Sequence, residues 1–292
     1  MLHVLVQDDR LLCDQGAETV VPWWSFGKTV ISAALLVQVQ NGLLALDDPV
    51  FEWPFTLRQL LRHQAGLADY GQLPEYHAAV ERGEAAWKDE DMLLRVQAAD
   101  LGYPPGASWC YSNVGYFYAR RIIERSAGEE FGAALRRLVF RPLGLEDVRL
   151  LDAKQDFEGA VLGIPSTYDP RWVYHGLMVG PLAEAAFMLD RLMAGQLISS
   201  SMLAAMMDAY PVGPSIPGRP WRVPKYGLGV MVGETHGGRS VAGHTGGGPG
   251  SCVAVYRNLS SPSAFTAAAF ALGADAGAVE RQAMEADPPL NA

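Results

Sequence analysis

Three short stretches of this 292-residue chain hold residues whose types and spacing could carry out acyl transfer. In "PWWSFGKTV", Pro22 to Val30, Ser25 and Lys28 stand three residues apart. A serine hydroxyl is a poor nucleophile until a neighbour takes its proton. Residues i and i+3 share one face of a helix, so these two side chains can touch. Apolar residues follow Lys28, and burial disfavours the charged form of lysine and makes it a better base. Ser25 would also lie at the helix start, where free N–H groups face any developing negative charge. The same residues fit a plainer reading, an N-capping serine followed by a lysine that reaches solvent. Lys28, Lys88, Lys154 and Lys225 are the only lysines, and only Lys28 has a serine three residues before it.

The second stretch is "YPPGASWCYSNVGYFYARRIIERSAG", in which Tyr111-Ser112-Asn113 follows a Pro-Pro-Gly turn and precedes an amphipathic run. That placement holds a phenol on a rigid loop, and an asparagine two residues on can fix an amide or carbonyl oxygen. A cap without chemical meaning would look the same. The third is "VAGHTGGGPGS", where His244-Thr245-Gly246 is followed by Gly247 and Gly248. Without Cβ atoms, backbone N–H groups there can approach a ligand closely, although a flexible hairpin turn is equally compatible.

The elements that must position these residues follow from hydrophobic period. His3 to Val6 and Leu11 to Gln15, joined at Asp8-Asp9-Arg10, predict a short antiparallel hairpin. "SFGKTVISAALLVQVQNG" is apolar on nearly every face and ends at Asn41-Gly42, which predicts a buried helix through the middle of the molecule. From Thr56 to about Met207 the pattern is mainly helical, as in "TLRQLLRHQAGL", "NVGYFYARRIIERSAG" and "LAEAAFMLDRLMAGQ". "YPVGPSIPGRPWRVPKYG" reads as a linker or surface loop. Strand-type runs follow at "YGLGVMV", "GRSVAGHT", "SCVAVYRN" and "AFTAAAFAL", spaced for an antiparallel meander, and "DAGAVERQAMEA" closes as a helix. The expected fold class is α+β. Residues 1–54 and 208–292 would build a discontinuous lobe around an antiparallel sheet, and 55–207 a mainly helical lobe. A site is expected in the cleft between them.

Bulk properties exclude several functions. With 49% hydrophobic and 19% charged residues, the chain reads as an ordinary globular protein. A net charge of −9 argues against nucleic acid and anionic membrane surfaces as partners. No apolar run reaches a membrane span, and "MLHVLVQDDRLL" reads as a strand and turn rather than a signal peptide. A cytoplasmic location is expected, or a periplasmic one if a leader has been removed. Cys13, Cys110 and Cys252 form neither a disulfide framework nor a metal spacing, and the six histidines include no H-x-x-x-H pair. "GLGVMVG" lacks the third glycine of a dinucleotide fingerprint, and no G-x-S-x-G elbow occurs. No metal or cofactor is expected.

Taken together and in this order, the three stretches resemble the penicillin-recognising serine hydrolases. That group includes class C β-lactamases, DD-peptidases, D-amino-acid peptidases and family VIII carboxylesterases. "NGLLALDDPV", "LRQLLRHQAGLADY" and "YGLGVMV" are similar to further segments of that family, so the likeness runs over roughly residues 20 to 270. The resemblance implies the two-lobed β-lactamase-like fold. It makes Ser25 the acylated nucleophile, with Lys28 and Tyr111 sharing the general-base work, and Asn113 holding the acyl side chain. His244 would stand where the family has a third-motif lysine, with Thr245 and Gly246 beside the substrate. The backbone N–H groups of Ser25 and Gly247 would form the oxyanion hole.

Departures from the family pattern bear on substrate choice. Trp24 stands where the family has a small residue, and the segment before Ser25 is short. An imidazole at 244 is mostly neutral at pH 7 and attracts a substrate carboxylate less than lysine does. The expected activity is therefore a carboxylesterase acting on small esters or amides. A β-lactamase or D-amino-acid/DD-peptidase is the alternative, and a non-catalytic binding protein of the same fold the remoter one. Arg219, Arg222 and Arg239 lie close enough in sequence to supply the missing charge.

Overall fold

The computed structural model describes residues 1–152, 161–260 and 264–288. Strands β1 (Leu2–Gln7) and β2 (Arg10–Gln15) form the expected hairpin. Asp8 and Asp9 turn it with φ of 50° and 61°, the left-handed pair that a tight hairpin uses. A small sheet has the order β3-β5-β4, from Val20–Pro22 (β3), Arg149–Leu151 (β4) and Leu177–Pro181 (β5). The carboxyl-terminal strands are β6 (Tyr210–Pro211), β7 (Trp221–Tyr226), β8 (Met231–Thr235), β9 (Ser240–Gly248), β10 (Ser251–Asn258) and β11 (Phe265–Leu272). They join the hairpin in one antiparallel sheet of order β2-β1-β11-β10-β9-β8-β7-β6. The first and last strands thus share a sheet, with helices on and beside it, giving an α+β fold.

Helices α1 (Gly27–Gln40), α2 (Leu57–Leu61), α3 (Pro74–Glu81), α4 (Asp89–Arg95), α5 (Asn113–Ala127) and α6 (Phe131–Leu135) precede β4. Helices α7 (Leu182–Met193) and α8 (Ser200–Met207) follow β5, and α9 (Ala276–Met284) follows β11. Nearly all of α1 is buried, as a helix apolar on every face requires. Helix α7 packs on β1, β10 and β11, and α9 packs on β9, β10 and β11. Val253, Val255, Ala268 and Phe270 share a core with α7, whereas Cys252, Ala254, Ala267 and Ala269 share one with α9. Buried on both faces, β10 and β11 therefore read as nearly continuous apolar runs.

Two sequence expectations are corrected. "YGLGVMV" is not one strand, because Gly227 to Val230 turn the chain from β7 into β8. Gly229 has φ of 74° and its carbonyl accepts from Thr29 Oγ1 at 2.7 Å, and a Cβ there would lie 2.0 Å from Ser32 Oγ. The turn is thereby pressed onto α1. The proline-rich stretch is only partly a loop, since "WRVPKY" forms β7 despite Pro224. Pro224 lies where β6 ends, its carbonyl accepting from Val212 N–H, so its missing N–H interrupts little of the ladder.

Candidate active site

Ser25 follows an unusual backbone. Trp23 N–H donates to Met178 O in β5 at 2.9 Å, and Trp24 then takes φ of 42°, in the left-handed region. Such a conformation costs about 1–3 kcal/mol in a bulky residue and persists only where its surroundings hold it. The Trp24 indole is buried, donates from Nε1 to Ser251 Oγ at 3.0 Å, and meets the Tyr168 ring edge-on at 5.7 Å. Gly246 and Gly248 make room for it. A Cβ at Gly248 would lie 2.6 Å from the indole, and one at Gly246 would lie 2.7 Å from Ser25 N. The turn carries Ser25 directly into α1, so Lys28 falls one helical turn on.

Lys28 is fully buried, and its Nζ has three polar neighbours: Asn113 Oδ1 at 2.7 Å, Ser25 Oγ at 3.2 Å and His175 Nε2 at 3.5 Å. Burial lowers its pKa to about 7, against the pull of the Asp69 carboxylate. Three contacts suit both protonation states, because an ammonium donates three hydrogens and an amine donates two and accepts one. Tyr111 OH donates to Ser25 Oγ at 3.0 Å. Burial pushes that phenol well above its ordinary pKa, so it stays protonated. The capping alternative for Ser25 does not apply: neither the short turn nor α1 has a side-chain cap.

Tyr111 and Asn113 are held by the start of α5. Ser112 Oγ caps that helix from Gly115 N–H at 3.0 Å and donates to Ala68 O at 2.6 Å. Asn113 N–H and Nδ2 both donate to Asp69 Oδ1 at 3.0 Å, which turns the amide oxygen toward Lys28. Ser112 N–H donates to His63 Nδ1 at 3.1 Å, and the His63 ring lies 4.4 Å from the Tyr111 ring and 4.6 Å from that of Tyr226. Burial keeps His63 neutral, its pKa well below the ordinary value.

The third stretch lies on β9. Pairing with β8 ends at Gly243, whereas pairing with β10 continues to Gly248, so one edge of residues 244–248 is open beside Ser25. His244 is buried, and burial first, then the charge of Lys28, lowers its pKa to about 3. Its Nδ1–H donates to Thr245 O at 2.7 Å, which leaves Nε2 to accept from Tyr226 OH at 2.9 Å. Both ring nitrogens thus serve protein groups. The Thr245 hydroxyl donates to Glu280 Oε1 at 2.5 Å and lies 2.7 Å from Tyr256 OH.

The three arginines near this strand are all paired. Arg219 forms a two-pronged ion pair with the buried Glu280, which also accepts from Trp221 Nε1 at 3.2 Å. Arg222 pairs with Glu234, and Arg239 with Asp287 at 2.7 Å. Lys225 is exposed and without an ion-pair partner among the described residues.

This order of a half-buried serine, a buried lysine and a half-buried tyrosine on an α+β scaffold agrees with the comparison to known proteins, in which the chain matches the Beta-lactamase family over residues 6–279. It belongs to that family. Its curated relatives include a penicillin-binding protein of Bacillus subtilis (strain 168), 26% identical over 138 residues, 44% of this chain and 30% of that protein. Esterase EstB of Burkholderia gladioli is 30% identical over 153 residues, 45% of this chain and 38% of that protein. The matched segments therefore span only about a third of those relatives. Among solved structures, a D-stereospecific amidohydrolase from Streptomyces sp. superposes with a TM-score of 0.78 at 23% identity, covering 98% of this chain and 94% of that one. That likeness establishes the shared fold. The β-lactamase family is one of serine hydrolases, and this chain is a member.

Two cavities meet at this β-lactamase-family site, and among the described residues Gly247 alone lines both. The smaller is about 90 Å³ and includes Ser25, Asn113, Trp24, Tyr168 and Trp172 in its wall. The larger is about 530 Å³ and includes Tyr111, His244 and Thr245, with Lys225 also on its lining. His175, Asp69, Tyr226 and Glu280 join the site from segments that carry no motif pointing to it. Asp69 lies within "HQAGLADY", but nothing in the sequence shows that its carboxylate orients Asn113.

Proposed function

We propose that this β-lactamase-family hydrolase works through an acyl-enzyme on Ser25 and is a carboxylesterase for small esters, and secondarily amides, that need no carboxylate. One observation carries the substrate class. The wall supplied by β9 presents a neutral His244, and Arg219, Arg222 and Arg239 are each neutralised by a carboxylate. A carboxylate-bearing substrate would find no fixed charge on His244 and no unpaired one on these three arginines.

In the proposed reaction the neutral Lys28 amine takes the Ser25 proton as Oγ bonds to the carbonyl carbon. The backbone N–H groups of Ser25 and Gly247 would hold the oxyanion, a donor pair worth several kcal/mol in a transition state. Lys28 returns the proton through Tyr111 OH to the leaving oxygen or nitrogen, and the alcohol or amine departs. Water then attacks the ester, giving its proton to the Tyr111–Lys28 pair as Ser25 Oγ leaves and is reprotonated. Asn113 would hold Lys28 by its amide oxygen and leave a second amide N–H for the acyl group. We infer further that the sheet lobe of 1–54 and 208–292 and the helical lobe of 55–207 enclose this cleft. The packing of α7 on β1 would join them.

A second reading, β-lactamase or D-amino-acid/DD-peptidase, is favoured by Lys225, an exposed cation at the larger cavity. A turnover panel of p-nitrophenyl acyl esters, nitrocefin and D-Ala-D-Ala peptides separates the two. Ester turnover that vanishes together with fluorophosphonate labelling in Ser25→Ala is the expected result. Ester turnover persisting in Ser25→Ala would end the mechanism, and nitrocefin or peptide turnover exceeding ester turnover would replace the substrate class.

A further inference from the structure

We propose that the two cavities divide the substrate unequally: the enzyme takes a small acyl group, acetyl to propionyl, on a bulky apolar leaving group. This rests on the acyl-enzyme reading above. Gly247 borders both cavities, so a carbonyl held at its N–H lies at their junction, with one substituent passing into each. Which substituent goes where follows from the proton. Tyr111 lines only the larger cavity, and its hydroxyl is 3.0 Å from Ser25 Oγ. A leaving atom protonated through that hydroxyl carries its substituent on the same side. The acyl group is then left with the cavity that holds Asn113.

That smaller cavity, at about 90 Å³, has room for about three water-sized groups. Its walls are not free to yield. Trp172 is fully buried and meets the rings of Tyr76 and Trp87 edge-on at 5.3 and 5.0 Å, and Trp24 is fixed by Ser251 and Tyr168. The larger cavity, about 530 Å³, has the volume of an ordinary small-molecule site. Trp109, Pro214, Ile216, Trp221 and Met231 make much of its wall, which suits an aryl or branched alkyl group.

Phenethyl acetate and ethyl phenylacetate test the division, because they are isomers whose leaving alcohols are similarly basic. The expected kcat/KM favours phenethyl acetate by on the order of a hundredfold, the discrimination a hydrophobic pocket gives for a group that fits. Val173→Ala should widen the smaller cavity and lower that ratio by about tenfold, and Ile216→Asp should lower it from the other side by spoiling the larger wall. Ile216 is exposed, so that variant should fold even if Val173→Ala does not. Equal rates, or a preference for ethyl phenylacetate, would overturn the division while leaving the esterase reading intact. If neither ester reacts but N-phenethylacetamide or N-ethyl-2-phenylacetamide does, the esterase reading fails and the same ratio decides the division on the amides. Inertness toward both pairs would overturn both.

Discussion

The imidazole Nε2 of His175 lies 3.5 Å from Lys28 Nζ, and both groups are buried. Burial holds His175 neutral, its pKa well below the ordinary value, and its Nδ1 faces the Trp24 carbonyl without a hydrogen bond of ordinary geometry. With Nε2 as acceptor, the two N–H groups of a neutral Lys28 are taken by His175 and Asn113, and the lone pair is left for Ser25. In the proposed mechanism His175 would thus act as a positioning residue for Lys28. His175→Leu should slow acylation by roughly ten- to a hundredfold, whereas His175→Gln, which keeps an acceptor, should recover most of that loss. Because Nε2 accepts better from an ammonium than from an amine, the leucine variant should also move the acidic limb of kcat/KM to lower pH. An unchanged rate and limb in His175→Leu would reduce the contact to packing.

In the proposed mechanism Lys28 would set the pH dependence of acylation. Its pKa of about 7 means that the neutral, proton-accepting form grows as pH rises through neutrality. Acylation measured between pH 5.5 and 8.5 should therefore rise along a single limb near pH 7, and a flat profile would remove Lys28 as the base. Stability should follow the same group. Between the folded value near 7 and the ordinary lysine value, the unfolded chain binds one more proton, so this group's contribution rises with pH by about 1.4 kcal/mol per unit. That contribution is lost as pH falls toward 7. Lys28→Met should accordingly stabilise the protein most at or below pH 7, and denaturant midpoints at pH 6.5 and 9 should show the advantage shrinking at the higher pH.

Tyr111→Phe keeps the ring that lies tilted against His63 and removes only the donor to Ser25. Since the phenol stays protonated at working pH, its proposed part is to pass a proton on, not to act as a standing tyrosinate. Acylation, deacylation or both should slow by about a hundredfold or more. Stopped-flow separation of the two steps with less than about threefold loss in each would leave Tyr111 as a structural residue.

Much of this site was legible because its side chains come from element starts that sequence marks clearly. Ser25 and Lys28 are linked by helical spacing, and Tyr111 and Asn113 flank Ser112, the cap of α5. What could not be read was contact between distant segments. His175 arrives from the turn before β5, Asp69 from the loop after α2, and Glu280 from α9, and none carries a local pattern tying it to Ser25. Strand boundaries failed for a related reason. "YGLGVMV" alternates like a strand, yet the close approach of Gly229 to Ser32 makes it a turn, and that approach is tertiary. The cavity sizes depend on Trp24 and Trp172 side chains packing against residues distant in sequence, 85 positions or more away, so no local pattern reveals them.

The last prediction concerns charge at the larger cavity. Arg219 lines it, but Glu280 neutralises the guanidinium and also ties down the Thr245 hydroxyl. Glu280→Gln keeps an acceptor for Thr245 and Trp221 while releasing one positive charge. His244→Lys adds one at a position where both imidazole nitrogens now serve protein groups. Either change should raise kcat/KM for an ester with a carboxylate on its leaving group, relative to its neutral analogue, by about tenfold, the size of one modest charge contact. The comparison of two substrates on each enzyme cancels general damage from the substitution. Lys225→Ala supplies the opposing case, since Lys225 is the exposed cation at that cavity. If the unaltered enzyme already prefers the carboxylate-bearing ester and Lys225→Ala abolishes that preference, the neutral-substrate reading is wrong. Charge recognition would then pass through Lys225, and the peptidase or β-lactamase reading would take its place.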